Sequence, residues 1–458
     1  MASVRKLLLL LLCGYHPLVA HAGDAQSKLL ATGSKADAVC SEPPVTPPSS
    51  SGTTVPLSHR HGPCSPAPST VEPTMAELLR RDQLRAKYIQ AKLSVNSGSG
   101  TDGVQQSAAI TLPTTLGSAL DTLAYVITVS IGTPAMTQAV MIDTGSDVSW
   151  VHCHARAGAG SSLFFDPGKS STYTPFSCSS AACTRLEGRD NGCSLNSTCQ
   201  YTVRYGDGSN TTGTYGSDTL ALNSTEKVEN FQFGCSETSD PGEGLDEDQT
   251  DGLMGLGGGA PSLVSQTAAT YGSAFSYCLP ATTRSSGFLT LGASTGTSGF
   301  VTTPMFRSRR APTFYFVILQ GINVGGDPVA ISPTVFAAGS IMDSGTIITR
   351  LPPRAYSALS AAFRAGMRRY PRARAFSILD TCFDFTGQDN VSIPAVELVF
   401  SGGAVVDLDA DGIMYGSCLA FAPATGGIGS IIGNVQQRTF EVLHDVGQSV
   451  LGFRPGAC

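Results

Sequence analysis

Apolar residues 7–12, all leucine, follow Arg5 and Lys6 and give way to Ala20-His21-Ala22. A charged start, a short apolar run and a small-x-small site predict a signal peptide over 1–22, cut near Ala22/Gly23. The run is well short of the roughly 20 apolar residues a membrane helix needs. No later stretch reaches that length, so no membrane anchor is expected. Residues 40–73 are rich in Pro, Ser and Thr and read as extended chain. The spacing then turns helical. Thr74 and Glu77 form a capping box, and Leu78, Leu84, Tyr88 and Ile89 share one face of a helix over about 74–93. Residues 94–109, rich in Ser and Gly, read as a linker.

From residue 121 the pattern changes to short strands bounded by Gly, Pro or Asn, among them 125–131, 200–205, 231–234 and 315–324. Helical spacing is confined to about 262–270 and 353–369. One pattern occurs twice. Ala139-Val140-Met141-Ile142-Asp143-Thr144-Gly145-Ser146 returns 200 residues later as Gly339-Ser340-Ile341-Met342-Asp343-Ser344-Gly345-Thr346. Each copy has a downstream apolar pair closing on Gly: Leu253-Met254-Gly255 and Ile431-Ile432-Gly433. This internal duplication of a mostly-β unit predicts an N-terminal lobe over 121–305 and a C-terminal lobe over 306–458. Residues 23–120 read as a propeptide.

Composition narrows the class. Charged residues are 14%, and 51 Gly with 27 Pro favour turns and short strands over long helices. Net charge −6 and pI ≈ 5.6 argue against a nucleic-acid partner. Ten cysteines lie beyond residue 120, an even number that in an oxidising compartment implies up to five disulfides of unreadable connectivity. Four N-x-S/T sequons, at Asn196, Asn210, Asn223 and Asn390, are candidate glycosylation sites. The 74–93 helix is basic, while the chain from 121 is acidic, so the helix is expected to dock on the lobes by charge and block a cleft between them. Acid would loosen it and permit cleavage within about 94–123. Acids between Glu237 and Asp251 and arginines between Arg364 and Arg374 read as solvated faces.

An acid on a strand-end turn cannot cleave an amide alone, but two from pseudo-symmetric halves can meet and share one proton. The ionised acid takes a proton from water while the protonated one hydrogen-bonds the substrate carbonyl. Gly145 and Gly345 permit the tight turns, and flanking hydroxyls orient the carboxylates. This chemistry needs no metal and no cofactor. His152-Cys153-His154 reads as a structural cysteine between loop histidines, and Gly255–Gly259 lacks the βαβ context of a phosphate loop.

On these motifs the chain resembles the pepsin-like aspartic proteases, over about 121–458. Trp150, seven residues after Asp143, is part of the match, and the run Tyr205-Gly206-Asp207-Gly208-Ser209 is similar to that family's flap hairpin. Phe165-Asp166-Pro167, Phe233-Gly234-Cys235, Leu379-Asp380-Thr381-Cys382, Ile432-Gly433-Asn434 and the prosegment-like His59-Arg60-His61-Gly62-Pro63-Cys64 are similar to the plant nepenthesin-like group. The resemblance implies an all-β, bilobal fold with few short helices and a cleft between lobes. It implies Asp143 and Asp343 as catalytic dyad, Ser146 and Thr346 supporting the carboxylates, and Thr144 and Ser344 joining the two loops. Tyr205, Gly206, Asp207 and Gly208 would form the flap, and Cys382–Cys418 a disulfide. The implied protein is a monomeric, secreted endopeptidase made as a zymogen, with its own propeptide and peptide or protein substrates as partners. It would cleave between bulky apolar residues at acidic pH, in the extracellular space or a vacuole. The alternative is a silent, glycosidase-inhibitor-like binding protein on the same scaffold. One departure is the absence of the two cysteines that relatives carry soon after Cys153, which predicts a more mobile loop over 154–165.

Overall fold

The computed structural model describes residues 27–31, 40, 52–66, 73–95, 125–153, 164–186, 191–205, 210–240, 250–280, 282, 284–292, 299–425 and 429–458. The expected signal peptide, most of the expected linker, positions 206–209 of the expected flap and most of the 154–165 loop lie outside these residues. In chain order, β1 is Ser27–Ala31, β2 is Thr53–His59, α1 is Met75–Val95, β3 is Tyr125–Ile131 and β4 is Met136–Asp143. The architecture is mostly β, with the pepsin-like fold and few short helices.

Strand β3 reads Tyr-Val-Ile-Thr-Val-Ser-Ile, and its β-branched side chains suit a pleated, buried surface. It pairs antiparallel with β4, which ends at Asp143. Both belong to a 15-stranded sheet that runs from the C-terminal hairpin, Phe440–Asp445 and Val450–Pro455, to the strands Lys227–Asp240 and Asn210–Ala221. A six-stranded sheet carries Ser340–Met342 and Ser430–Ile432, and a four-stranded sheet lies beside it. The run 315–324, expected as one strand, is two. Ala311–Val317 lies in the six-stranded sheet and Leu319–Val324 in the four-stranded one, because the chain changes sheet at Ile318. Helix Leu263–Tyr271 starts at the Ser262 cap, as its spacing predicts. Helix Pro353–Gly366 buries Ala355, Tyr356, Leu359, Ser360 and Phe363 and ends three residues early.

The N-terminal segment, expected as a propeptide, is more integrated than its composition suggests. Strand β2 is extended as expected, yet it is an interior strand, antiparallel to Ser286–Leu291 on one side and β3 on the other. Val55 and Leu57 enter the main core by the period-two rule. Pro56, which has no amide hydrogen, is tolerated because the ladder to β3 begins only at Leu57. Strand β1 pairs antiparallel with Asn390–Pro394 in a two-stranded sheet, and Lys28 meets Asp407 at 2.9 Å. The disulfide Cys40–Cys64 closes the prosegment on itself. Five more join Cys153–Cys235, Cys178–Cys193, Cys183–Cys199, Cys278–Cys458 and Cys382–Cys418. Among the described residues no helix is long and apolar enough to cross a membrane.

Candidate active site

The two acid motifs sit at equivalent places in the duplicated unit. Strand β4 runs parallel to Gly252–Gly255, which brings Gly255 opposite Asp143. Ser340–Met342 runs parallel to Ser430–Ile432, and Asp343 N donates to Ile432 O at 3.1 Å. Each apolar-Gly segment thus lies alongside the strand that delivers the acid. Both carboxylates are fully buried.

Each loop holds its own acid. Ser146 Oγ donates to Asp143 Oδ2 at 2.6 Å and Gly145 N to Oδ1 at 2.8 Å. Thr346 Oγ1 donates to Asp343 Oδ2 at 2.5 Å and Gly345 N to Oδ1 at 3.3 Å. The loops also hold each other. Thr144 N donates to Ser344 Oγ at 3.2 Å, and Ser344 N returns a bond to Thr144 Oγ1 at 2.9 Å. A Cβ at Gly145 would stand 2.7 Å from Asp343 Oδ1, so no side chain fits between the acids there. Tyr205 is buried, and its hydroxyl accepts from Trp150 Nε1 at 2.6 Å. Gly206, Asp207 and Gly208 lie outside the described residues. Asn196, Asn223 and Asn390 are exposed and Asn210 half-buried.

Between the acids sits a side chain of α1. Helix α1 lies across the cleft, and Arg85 Nη2 donates at 2.7 Å to Asp143 Oδ1 and at 2.7 Å to Asp343 Oδ1. Its Nε reaches Asp343 Oδ2 at 2.9 Å. Burial alone would push the Asp343 carboxyl up, but the Arg85 guanidinium overrides it and holds that carboxyl below the usual range. Three residues earlier Asp82 is also fully buried. It accepts from Ile347 N at 2.6 Å, Ile348 N at 3.2 Å and Arg350 Nη2 at 2.7 Å. Leu79 packs against Ile347, Ile348 and Val435, and Ala86 with Ile89 against Ala311, Phe314 and Ile431. A cavity of about 520 Å³ remains beside the helix, toward Thr202–Tyr205 and Phe314.

Known proteins resemble this chain in sequence and fold. Residues 125–293 match the family model described as Xylanase inhibitor N-terminal, and residues 314–455 that described as Xylanase inhibitor C-terminal. An aspartyl protease family protein of Arabidopsis thaliana is 40% identical over 88% of this chain and 86% of its own. Aspartic proteinase nepenthesin-1 of Nepenthes gracilis is 34% identical over 73% of this chain and 78% of its own. The chain belongs to the nepenthesin-like plant group of pepsin-like aspartic proteases. In fold the chain resembles basic 7S globulin from soybean, with TM-score 0.58 and 20% identity over 72% of this chain and 90% of that one. Conglutin gamma from lupine seeds matches with TM-score 0.58 and 20% identity, over 72% and 91%. Relatives that carry the name aspartic protease support protease activity for this one.

Of the face expected for this helix, Ile89 is buried but Leu78, Leu84 and Tyr88 are not. Those three are half-exposed, while Leu79, Asp82, Arg85, Ala86 and Ile89 are covered. The acidic cleft floor reverses the usual rule, because a buried cation and a buried acid are stable there when paired. The 79, 82, 86, 89 spacing carries the signal, but only for a reader who admits charged residues to a buried face. Arg350, buried with no local pattern to mark it, is a further site residue that sequence reasoning does not find.

Proposed function

We propose that the chain is the precursor of a secreted aspartic endopeptidase, held silent by Arg85 until the prosegment leaves. The observation that carries this reading is one guanidinium gripping two carboxylates from opposite halves of a duplicated unit, each at 2.7 Å.

Departure of Arg85 frees the space between the carboxylates for a water molecule. Two like charges so close cannot both ionise, so the pair keeps one proton. The ionised carboxylate takes a proton from the water as its oxygen attacks the substrate carbonyl carbon. The other carboxyl gives its proton to the carbonyl oxygen. Collapse of the tetrahedral adduct breaks the C–N bond as a proton passes to the leaving nitrogen, and the dyad returns to its single-proton state. Ser146 and Thr346 hold the carboxylates in plane through these steps. Apolar walls at Phe314, Ile431 and Val435, now covered by α1, favour bulky apolar residues near the cut bond.

The test is proteolysis of a denatured globular protein between pH 3 and 7, using wild type, Asp143→Asn and Asp343→Asn. Activity at acid pH that either substitution and a statine peptide abolish would support the dyad. Absence of cleavage by folded, prosegment-free protein would leave the inhibitor-like binding protein as the better reading.

A further inference from the structure

The pocket that holds Asp82 is built for a carboxylate. Two consecutive amides, Ile347 N and Ile348 N, and the Arg350 guanidinium converge on it. Arg350 is 1% exposed and also donates to Ile348 O at 3.1 Å, which aims its other end at Asp82. Among the described residues Asp82 is the one carboxylate that bears on Arg350 electrostatically. When α1 departs, this guanidinium loses its counter-charge at the cleft wall, immediately after the Asp343–Thr346 loop. A buried cation without a partner is unfavourable, and an incoming carboxylate relieves it.

We propose that, in the mature enzyme, Arg350 with the Ile347 and Ile348 amides forms a subsite for an acidic substrate side chain, and that Asp82 is the prosegment's imitation of that side chain. The inference rests on Asp143 and Asp343 being the catalytic pair. Asp82 and Arg85 are three residues apart on a helix, roughly 4.5 Å along its axis. An extended peptide advances roughly 3.3 Å per residue. The favoured Asp or Glu therefore lies one or two residues from the cut bond. Selectivity arises because an Asn amide offers one oxygen and no charge where the site presents three donors.

The full chain is expressed, cut within 96–124, and separated from its prosegment. Peptides with amidated C-termini, which removes terminal carboxylates as a competing source, are compared as Asp and Asn pairs at the two positions on each side of the cut bond. At pH 5 the kcat/KM ratio for Asp over Asn is expected to be roughly tenfold or more at one position. It should fall as the substrate carboxyl protonates near pH 4. Arg350→Gln should bring the ratio to about one. The Asp82→Asn/Arg350→Gln pair should do the same, and it avoids a lone buried Asp82 if the single variant does not fold. A wild-type ratio near one at every position, or a ratio unchanged by these variants, overturns the subsite while leaving proteolysis intact. If no peptide is cut, the proposed function fails instead. The subsite is then read from Kd values of reduced-amide Asp and Asn peptides, where tenfold tighter binding of the Asp form supports it and equal affinities overturn it.

Discussion

Arg85 is the residue on which the silent state turns. Its guanidinium is buried with both acids, so removing it leaves two carboxylates without their cation. Breaking such a buried arrangement is worth about 3–5 kcal/mol. Uncut Arg85→Ala precursor is therefore expected to cleave an internally quenched peptide at a pH where uncut wild type is silent, and Arg85→Ala/Asp143→Asn is not. Equal silence of wild type and Arg85→Ala would show that the other α1 contacts suffice. Trp150 acts differently. Trp150→Phe leaves the buried Tyr205 hydroxyl without its donor, which costs about 1–3 kcal/mol. The expected result is a lower Tm by thermal unfolding together with reduced kcat/KM, because the hydrogen bond that positions Tyr205, the proposed flap tyrosine, is gone.

Among elements, the prosegment strand β2 and the turn after it carry the pH response. His59 lies within a cluster of cations: burial first, then Arg438, His61 and Arg60, push its imidazole down to about 3. His61 is pushed down to about 4 by burial, then by Arg60 and Arg81. His59 also stacks edge-on to Tyr125, and its Nδ1 accepts from His61 N at 3.2 Å, a bond that needs an unprotonated nitrogen. Glu77, which faces Arg81, and Asp411, which bears on Arg438, are the acids that offset this positive cluster. Released imidazoles titrate near 6.5. Between these values the docked form binds fewer protons than the released form, so docking is complete above about 6.5 and is lost as pH falls toward 4 and then 3. Asp343, lowered by Arg85, adds to the loss in the most acid range. Asp82 opposes it, since burial raises its carboxyl while Arg350 and two amides pull back. After a cut within 96–124, the prosegment is expected to co-elute with the lobes at pH 7.5 in size-exclusion chromatography and to separate on acidification. His59→Asn/His61→Asn should move that midpoint down by about one pH unit. An unmoved midpoint would assign the response to carboxylates alone.

At the scale of the whole molecule, the lobes are joined through one continuous sheet and a covalent tie. Cys278, on the strand Ala274–Cys278, binds Cys458 across 180 residues of sequence. Closing so long a loop restricts the unfolded chain strongly, and a native disulfide of this kind is worth about 2–5 kcal/mol. Cys458→Ser is expected to lower the Tm by several degrees in a calorimetric scan under non-reducing conditions. An unchanged Tm would show that the Phe440–Asp445 and Val450–Pro455 hairpin holds the C-terminus without help.

The sequence by itself determined the elements whose causes are local or repeated. Short apolar runs bounded by Gly, Pro or Asn mark strands such as 125–131, helical spacing marks 262–270, and the duplicated Asp-hydroxyl-Gly-hydroxyl runs mark two equivalent turns 200 residues apart. Motif and duplication are enough to pair Asp143 with Asp343, because symmetry brings equivalent positions together. Tertiary structure alone decided which prosegment residue meets that pair. Leu78 and Leu79 are alike in composition and differ only in the face the cleft selects. It also decided that β2 enters a sheet interior, and that Arg350 faces Asp82 from 268 positions away. Those outcomes depend on burial and charge pairing between distant segments, and no window of sequence contains both partners.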